Sequence, residues 1–235
     1  LFVSSISSVL YPTISKMASE RNINGMKSAI SEAIAVINIM VVPMTFGSII
    51  FAEPIVYFLF GRGAFSAEAV AMTSNALRFY SVGMLAFGLR SVLSQAFFAL
   101  QDTKTPMLNG VIAVTINIVL NIILSRFFGV GGLALATSLS EIVASVLLFS
   151  DLRKKVDGLG LRDFALSLAK VTAAAILMSC LALGVYVFLS SGFKSNLALI
   201  MAIGISALFY FGLIYLFGVR EVKRVIETIH RRLRG

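Results

Sequence analysis

The residues best able to do chemistry in this chain stand where a hydrocarbon environment makes them costly. Arg78 and Arg90 fall within the apolar run from Val70 to Leu100, Glu141 within that from Val130 to Phe149, and Asn117 and Asn121 within that from Met107 to Ser125. A charge or an unpaired amide at membrane depth must face other helices or a water-filled cavity. At 3.6 residues per turn, Gly110, Ala113, Asn117 and Asn121 share one stripe of their helix. Ala134, Thr137, Glu141 and Ser145 share a stripe of the next. Two amides, a hydroxyl and a carboxylate on facing stripes describe the interior seam of a polytopic membrane protein, with hydrogen bonds between helices as their simplest use. Arg78 lies near an end of its run and can extend its head group to the interface. Arg90 lies ten or more residues from either end, so its guanidinium needs a carboxylate, a carbonyl, water or an anionic substrate. An ion pair with Glu141 and contact with a substrate are equally open on these residues.

The elements that must hold these groups follow from hydropathy. The chain is 58% hydrophobic and 13% charged, with a mean hydropathy of +0.95, outside the range of soluble domains. Seven spanning segments are expected, roughly Leu1–Ser15, Ala29–Phe51, Val70–Leu100, Met107–Ser125, Val130–Phe149, Leu166–Leu189 and Leu197–Phe217. The first is short and already apolar at Leu1, which predicts that the chain belongs to a longer protein. Gln101, Asp102, Thr103, Lys104, Thr105 and Pro106 form a polar hinge, with Pro106 in a helical first turn where its missing N–H is tolerated. Gly129, Gly131 and Gly132 are expected to supply a tight turn. Pro43 should leave a carbonyl one turn back for a neighbour or water to satisfy. The single Cys180, inside an apolar run, is expected to be a buried, inert thiol. Lys170, near the end of its span, is expected to extend to the interface.

Charge placement gives an orientation. Lys16, Arg21 and Lys27, then Lys104, then Arg153, Lys154, Lys155 and Arg162, and then the arginine-rich tail after Phe217 fall on alternate connections. The opposite connections hold only Arg62, Arg126 and Lys194. The richer set is expected to be cytoplasmic, with Leu1 starting outside. The net charge of +9 then reads as topology and attraction to anionic membrane lipids, and no nucleic-acid partner is expected. The tail can lie as an amphipathic helix on the inner surface, with Val222, Val225, Ile226 and Ile229 toward lipid, or stay solvated. His230 in that tail has no second ligand near it in sequence. There is no nucleophile elbow, phosphate loop or aspartate-rich motif, so no enzyme is expected.

Three stretches carry a family resemblance. Phe60-Gly61-Arg62-Gly63-Ala64-Phe65, Tyr80-Ser81-Val82-Gly83 followed by the Gln101–Pro106 hinge, and Gly131-Gly132-Leu133-Ala134-Leu135-Ala136-Thr137-Ser138 resemble, in order and spacing, the MurJ (MviN) lipid II flippases. Gly61, Arg62, Gly63, Asp102, Lys104, Thr105 and Pro106 are the loop and hinge positions of that match. The resemblance implies an all-α helix bundle forming the last seven of fourteen helices, in the superfamily that also holds multidrug antiporters and polysaccharide exporters. It implies a second lobe over residues 1–150, two extra helices over 151–217 that groove the polyprenyl tail, and a basic cytoplasmic tail over 218–235. The implied function is alternating-access flipping of lipid II across the bacterial cytoplasmic membrane. An exporter of another polyprenyl-linked oligosaccharide, a drug antiporter, and a scaffold or enzyme of cell-wall synthesis are the alternatives. Arg90 lies where the family commonly carries Arg or Lys, and with Arg78 and Glu141 it is the expected substrate contact. Asn117, Asn121 and Thr137 stand where relatives hold sodium, so a sodium ion is the one cofactor to expect, and cell-wall synthesis machinery the one protein partner.

Overall fold

The computed structural model describes residues 2–156, 158 and 161–218. Within them lie eight α-helices and no strand: α1 Phe2–Ser19, α2 Ile23–Ile50, α3 Ala52–Phe60, α4 Ala67–Ala99, α5 Lys104–Phe128, α6 Val130–Lys155, α7 Leu161–Ser190 and α8 Ser195–Leu216. Six of them, α2 and α4 to α8, are long and apolar enough to cross a membrane. The basic tail after Gly218, the proposed amphipathic helix and His230 lie outside the described residues, as does the Arg162 side chain.

Three helix starts have a side-chain cause. The Asn22 side chain accepts from Gly25 N at 2.9 Å and opens α2, and Ser66 accepts from Ala69 N at 3.2 Å and opens α4. Asp102 takes that role for α5, accepting from the backbone N–H of Thr105 at 3.1 Å and from its hydroxyl at 2.8 Å. Pro106 therefore sits in the first turn of α5, where expected. The α5–α6 turn is narrower than the sequence suggested. Gly129 alone makes it, with φ +55°, a conformation a side chain resists. Gly131 and Gly132 are already inside α6. A Cβ on Gly132 would stand 2.2 Å from the Leu124 carbonyl oxygen, so these two serve close packing of the hairpin.

The short helix α3 has no counterpart among the expected spans. Its nine residues are too few to cross a bilayer, and Glu53 with Pro54 in the first turn are its start signals.

The bundle is held by small-residue contacts and by apolar clusters. α4 and α6 meet at Gly83, where a Cβ would stand 2.6 Å from the Ser138 Cα. The Ser138 hydroxyl donates to the Phe79 carbonyl at 2.6 Å across that contact. One cluster joins α1, α2, α4 and α6 through Ile14, Met26, Ile37, Phe97 and Leu152. A second joins α2 to α7 and α8 through Val42, Val171, Ala174 and Tyr210. A third joins α2, α7 and α8 at the opposite end through Phe51, Ala182 and Leu199. Within the second cluster the Tyr210 hydroxyl donates to the Ile39 carbonyl at 2.7 Å. That is the carbonyl Pro43 leaves without its helical donor, four residues earlier, so the neighbour expected from the proline is a tyrosine of α8.

Cys180 corrects an expectation. It is exposed, on an α7 face that also carries Ile176, Leu177, Leu183 and Val187. An apolar run in a membrane helix is no sign of burial within protein, because the outward face is apolar too.

Candidate functional site

Of the ionisable, amide and hydroxyl residues picked out by spacing, Arg90, Glu141, Asn117, Asn121 and Thr137 lie where α6 meets α4 and α5. α6 lies between the other two, so that α4 and α5, neighbours in sequence, scarcely touch. From α4, Arg90 reaches across this gap. Its Nη1 donates to Glu141 Oε1 on α6 at 2.5 Å. On its far side, the place where a side chain on Gly110 of α5 would begin is 3.8 Å from Arg90 Nη2, with no other non-neighbouring atom within 4 Å. The pair is partly open: 33% of the Arg90 side chain and 17% of that of Glu141 are exposed. Glu141 Oε2 is buried without a hydrogen-bond partner. About 14 Å of helix separates Arg90 from the end of α4 at Ala99, too far for its head group to leave the span easily.

Further along the same seam, α5 and α6 interlock through amides and hydroxyls. Asn121 Nδ2 donates to Asn117 Oδ1 at 3.0 Å. Asn117 Nδ2 in turn donates to Thr137 Oγ1 and to Ser140 Oγ, each at 3.4 Å. Thr137 and Ser140 pass their own hydroxyl protons to the carbonyls of Leu133 and Thr137. Ser140 is the member sequence reading missed. It stands three residues after Thr137, a helical spacing that could have found it. Asn121 Oδ1 is left buried and without a partner. Amide and hydroxyl oxygens are the kind a hard monovalent cation takes; of those here Asn121 Oδ1 is the one left unmatched, while Thr137 Oγ1 faces Asn117. Asn117 Oδ1 is already engaged by Asn121. Among the described residues no group of three or more His, Cys, Asp or Glu side chains could hold a metal ion.

Arg78 is held apart. It lies about 18 Å from Arg90 along α4, with Nη2 3.9 Å from Glu53 Oε2 on α3 and both side chains well exposed. A pair so open contributes little to stability. In the Phe60–Phe65 stretch between α3 and α4, Gly63 takes φ +64°, the Phe60 and Phe65 rings lie 6.0 Å apart and Arg62 is exposed.

At the other end, the hinge is a built cluster. Lys155, at the last turn of α6, donates to Asp102 Oδ2, and its ammonium lies over the Phe97 ring, 5.8 Å from the centroid. The Lys155 hydrogen bond, followed by that from the Thr105 backbone, lowers the Asp102 carboxyl to about 2. Asn109 Nδ2 donates to Asp151 Oδ2 at 3.0 Å, tying α5 to α6 one turn further in. Lys104, the first residue of α5, is exposed. Lys170 donates to the Phe217 carbonyl at the C-terminus of α8, at 2.9 Å; its long stem carries the charge to a helix end.

Comparison with known proteins converges on one family. The sequence profile described as lipid II flippase MurJ matches residues 1–216. The probable lipid II flippase MurJ of Vibrio cholerae is 36% identical over 152 residues, covering 65% of this chain and 29% of that protein. Its counterpart in Thermotoga maritima is 28% identical over 227 residues, covering 97% of this chain and 44% of the relative. A solved structure of lipid II flippase MurJ in an inward closed conformation superposes with a TM-score of 0.77 at 26% identity, over 93% of this chain and 43% of that one. The chain thus spans less than half the length of these relatives. With the matched profile running from the first residue to the end of α8, this all-helical membrane protein belongs to the lipid II flippase MurJ family.

Proposed function

We propose that this chain supplies the C-terminal part of a transporter that flips lipid II from the inner to the outer leaflet of the bacterial cytoplasmic membrane. The observation that carries the reading is Arg90, a guanidinium deep in a spanning helix, partly exposed and held by one carboxylate oxygen. A diphosphate linked to a polyprenyl chain is an anion of matching geometry for such a fork. In this reading residues 1–150 form one lobe, α7 and α8 border the path of the lipid tail, and the sugar–peptide headgroup crosses on the α4–α5–α6 side by alternating access. The ends bearing Lys16–Lys27, Lys104 and Arg153–Lys155 face the cytoplasm. Each charge moved through the field is worth about 2.3 kcal/mol per 100 mV. A sodium ion on Asn121 and Thr137, completed by an acid outside this chain, biases one conformation by its differential affinity. Synthases of the cell wall are natural recipients of the product.

The test is flipping of labelled lipid II by the complete two-lobed transporter in proteoliposomes. Arg90→Ala should lower the rate at least about tenfold, a loss of roughly 1.4 kcal/mol. Arg90→Lys, which keeps the charge and loses the fork, should retain an intermediate rate. Wild-type flipping by Arg90→Ala would remove Arg90 from the path.

A further inference from the structure

We propose that Glu141 is an internal counter-ion, holding Arg90 while the site is empty and displaced from it by the incoming diphosphate. The proposal deepens the reading of Arg90 as the anion contact and depends on it. Three features of the pair separate an exchangeable partner from a permanent one. Only Oε1 of Glu141 meets the guanidinium, at 2.5 Å, while Oε2 is buried with no hydrogen-bond partner. A buried ion pair built to stay has its remaining lone pairs satisfied by further hydrogen bonds; this carboxylate is half used. The arginine is also the more open member, 33% exposed against 17%, so an anion can approach it while Glu141 is still in place. Finally, Gly110 leaves space on the Nη2 side, where among the described residues Arg90 is the only non-neighbouring group within 4 Å of the position a Cβ would take.

Competition then follows from charge and shape. A diphosphate carries more negative charge than one carboxylate and offers oxygens to both nitrogens of the fork. Glu141 meanwhile prevents the guanidinium from standing unpaired in a span when no substrate is bound, which would cost several kcal/mol. Among the described residues Arg90 and Glu141 have no other ion-pair partner, so the exchange is one for one. Glu141 thus sets how strongly an anion must bind to open the site.

The measurement is binding of inorganic pyrophosphate to the purified protein in nanodiscs. Glu141→Gln, which keeps the shape and removes the charge, should bind pyrophosphate roughly tenfold tighter than wild type. Glu141→Asp, too short to keep the 2.5 Å contact, should also bind more tightly and serves if the glutamine variant does not fold. Arg90→Gln should lose binding. Tighter binding after removal of a native ion pair is a gain that mere structural damage would not produce. If the Glu141 variants are folded and bind pyrophosphate no better than wild type, the counter-ion role falls while Arg90 remains an anion contact. If Arg90→Gln binds as wild type does, or no form binds, the anion-contact reading falls and the counter-ion role with it.

Discussion

At the scale of single residues, the seam is built from groups that satisfy one another incompletely. Asn121 gives one amide hydrogen to Asn117 but leaves Oδ1 buried and unmatched, which in a span is a cost without a cation or a further donor. If sodium binds there, Asn121→Ala should lower transport and abolish any difference between sodium and potassium salts, and Asn121→Asp should preserve both or tighten sodium binding. The check is transport or thermal stability of the complete transporter in the two salts. If wild type responds equally to both, the asparagines only join helices, and Asn121→Ala should then cost about 0.6–2 kcal/mol of stability with no change in ion response. Much of this seam was legible from spacing, since Asn117 and Asn121 stand one turn apart and Thr137 and Glu141 likewise. The Arg90–Glu141 pair, one of the two readings open on the sequence, is formed; that Thr137, on the same stripe as Glu141, turns instead to α5 was not legible. It depends on α6 lying between those helices. The exposure of Cys180 was illegible for a related reason: apolar residues point to lipid and to protein alike.

At the scale of elements, length and hydropathy located every long helix, and polar ends misled only at the margins. α6 runs on to Lys155, past the expected end at Phe149, because its last basic turn suits the negative end of the helix dipole and pairs with the hinge through Asp102. The short α3 escaped because a nine-residue apolar piece is invisible to a search for spans. The proline in α2 was more informative. Pro43 announced a free carbonyl, though not which side chain would meet it; Tyr210, 171 positions along the chain, does. Removing that hydroxyl leaves the Ile39 carbonyl buried without a donor, so Tyr210→Phe should destabilise the protein by about 1–3 kcal/mol. Unfolding in detergent reads this, with Tyr215→Phe, an exposed position, as control. Equal stability of the two variants would mean that the bond between α2 and α8 contributes nothing.

For the whole molecule, alternation of the connections between two ends was readable from basic residues, and the packing agrees with it. Met26, Phe97, Leu152 and Val156 meet at one end, Phe51 and Tyr186 at the other, with ring centroids 5.5 Å apart. Lateral order was not readable, since it rests on backbone approaches such as Gly83 against Ser138 rather than on hydropathy. That order leaves α5 covered on little more than its Asn109–Ala113 side, with Val111, Ile118, Val119 and Ile122 exposed. It also puts Gly110, on the same stripe of α5 as Asn117 and Asn121, beside Arg90. If this stripe borders the path of a polyprenyl-diphosphate-linked saccharide, photocrosslinking will detect it. A photoreactive residue at position 110, next to Arg90, is compared with one at position 119, on the opposite face of α5 at 100° per residue. In the complete transporter supplied with radiolabelled lipid II, position 110 should capture the headgroup, Arg90→Ala should diminish that capture, and position 119 should capture none. Equal capture at both positions, or headgroup capture at 119 alone, would contradict the account.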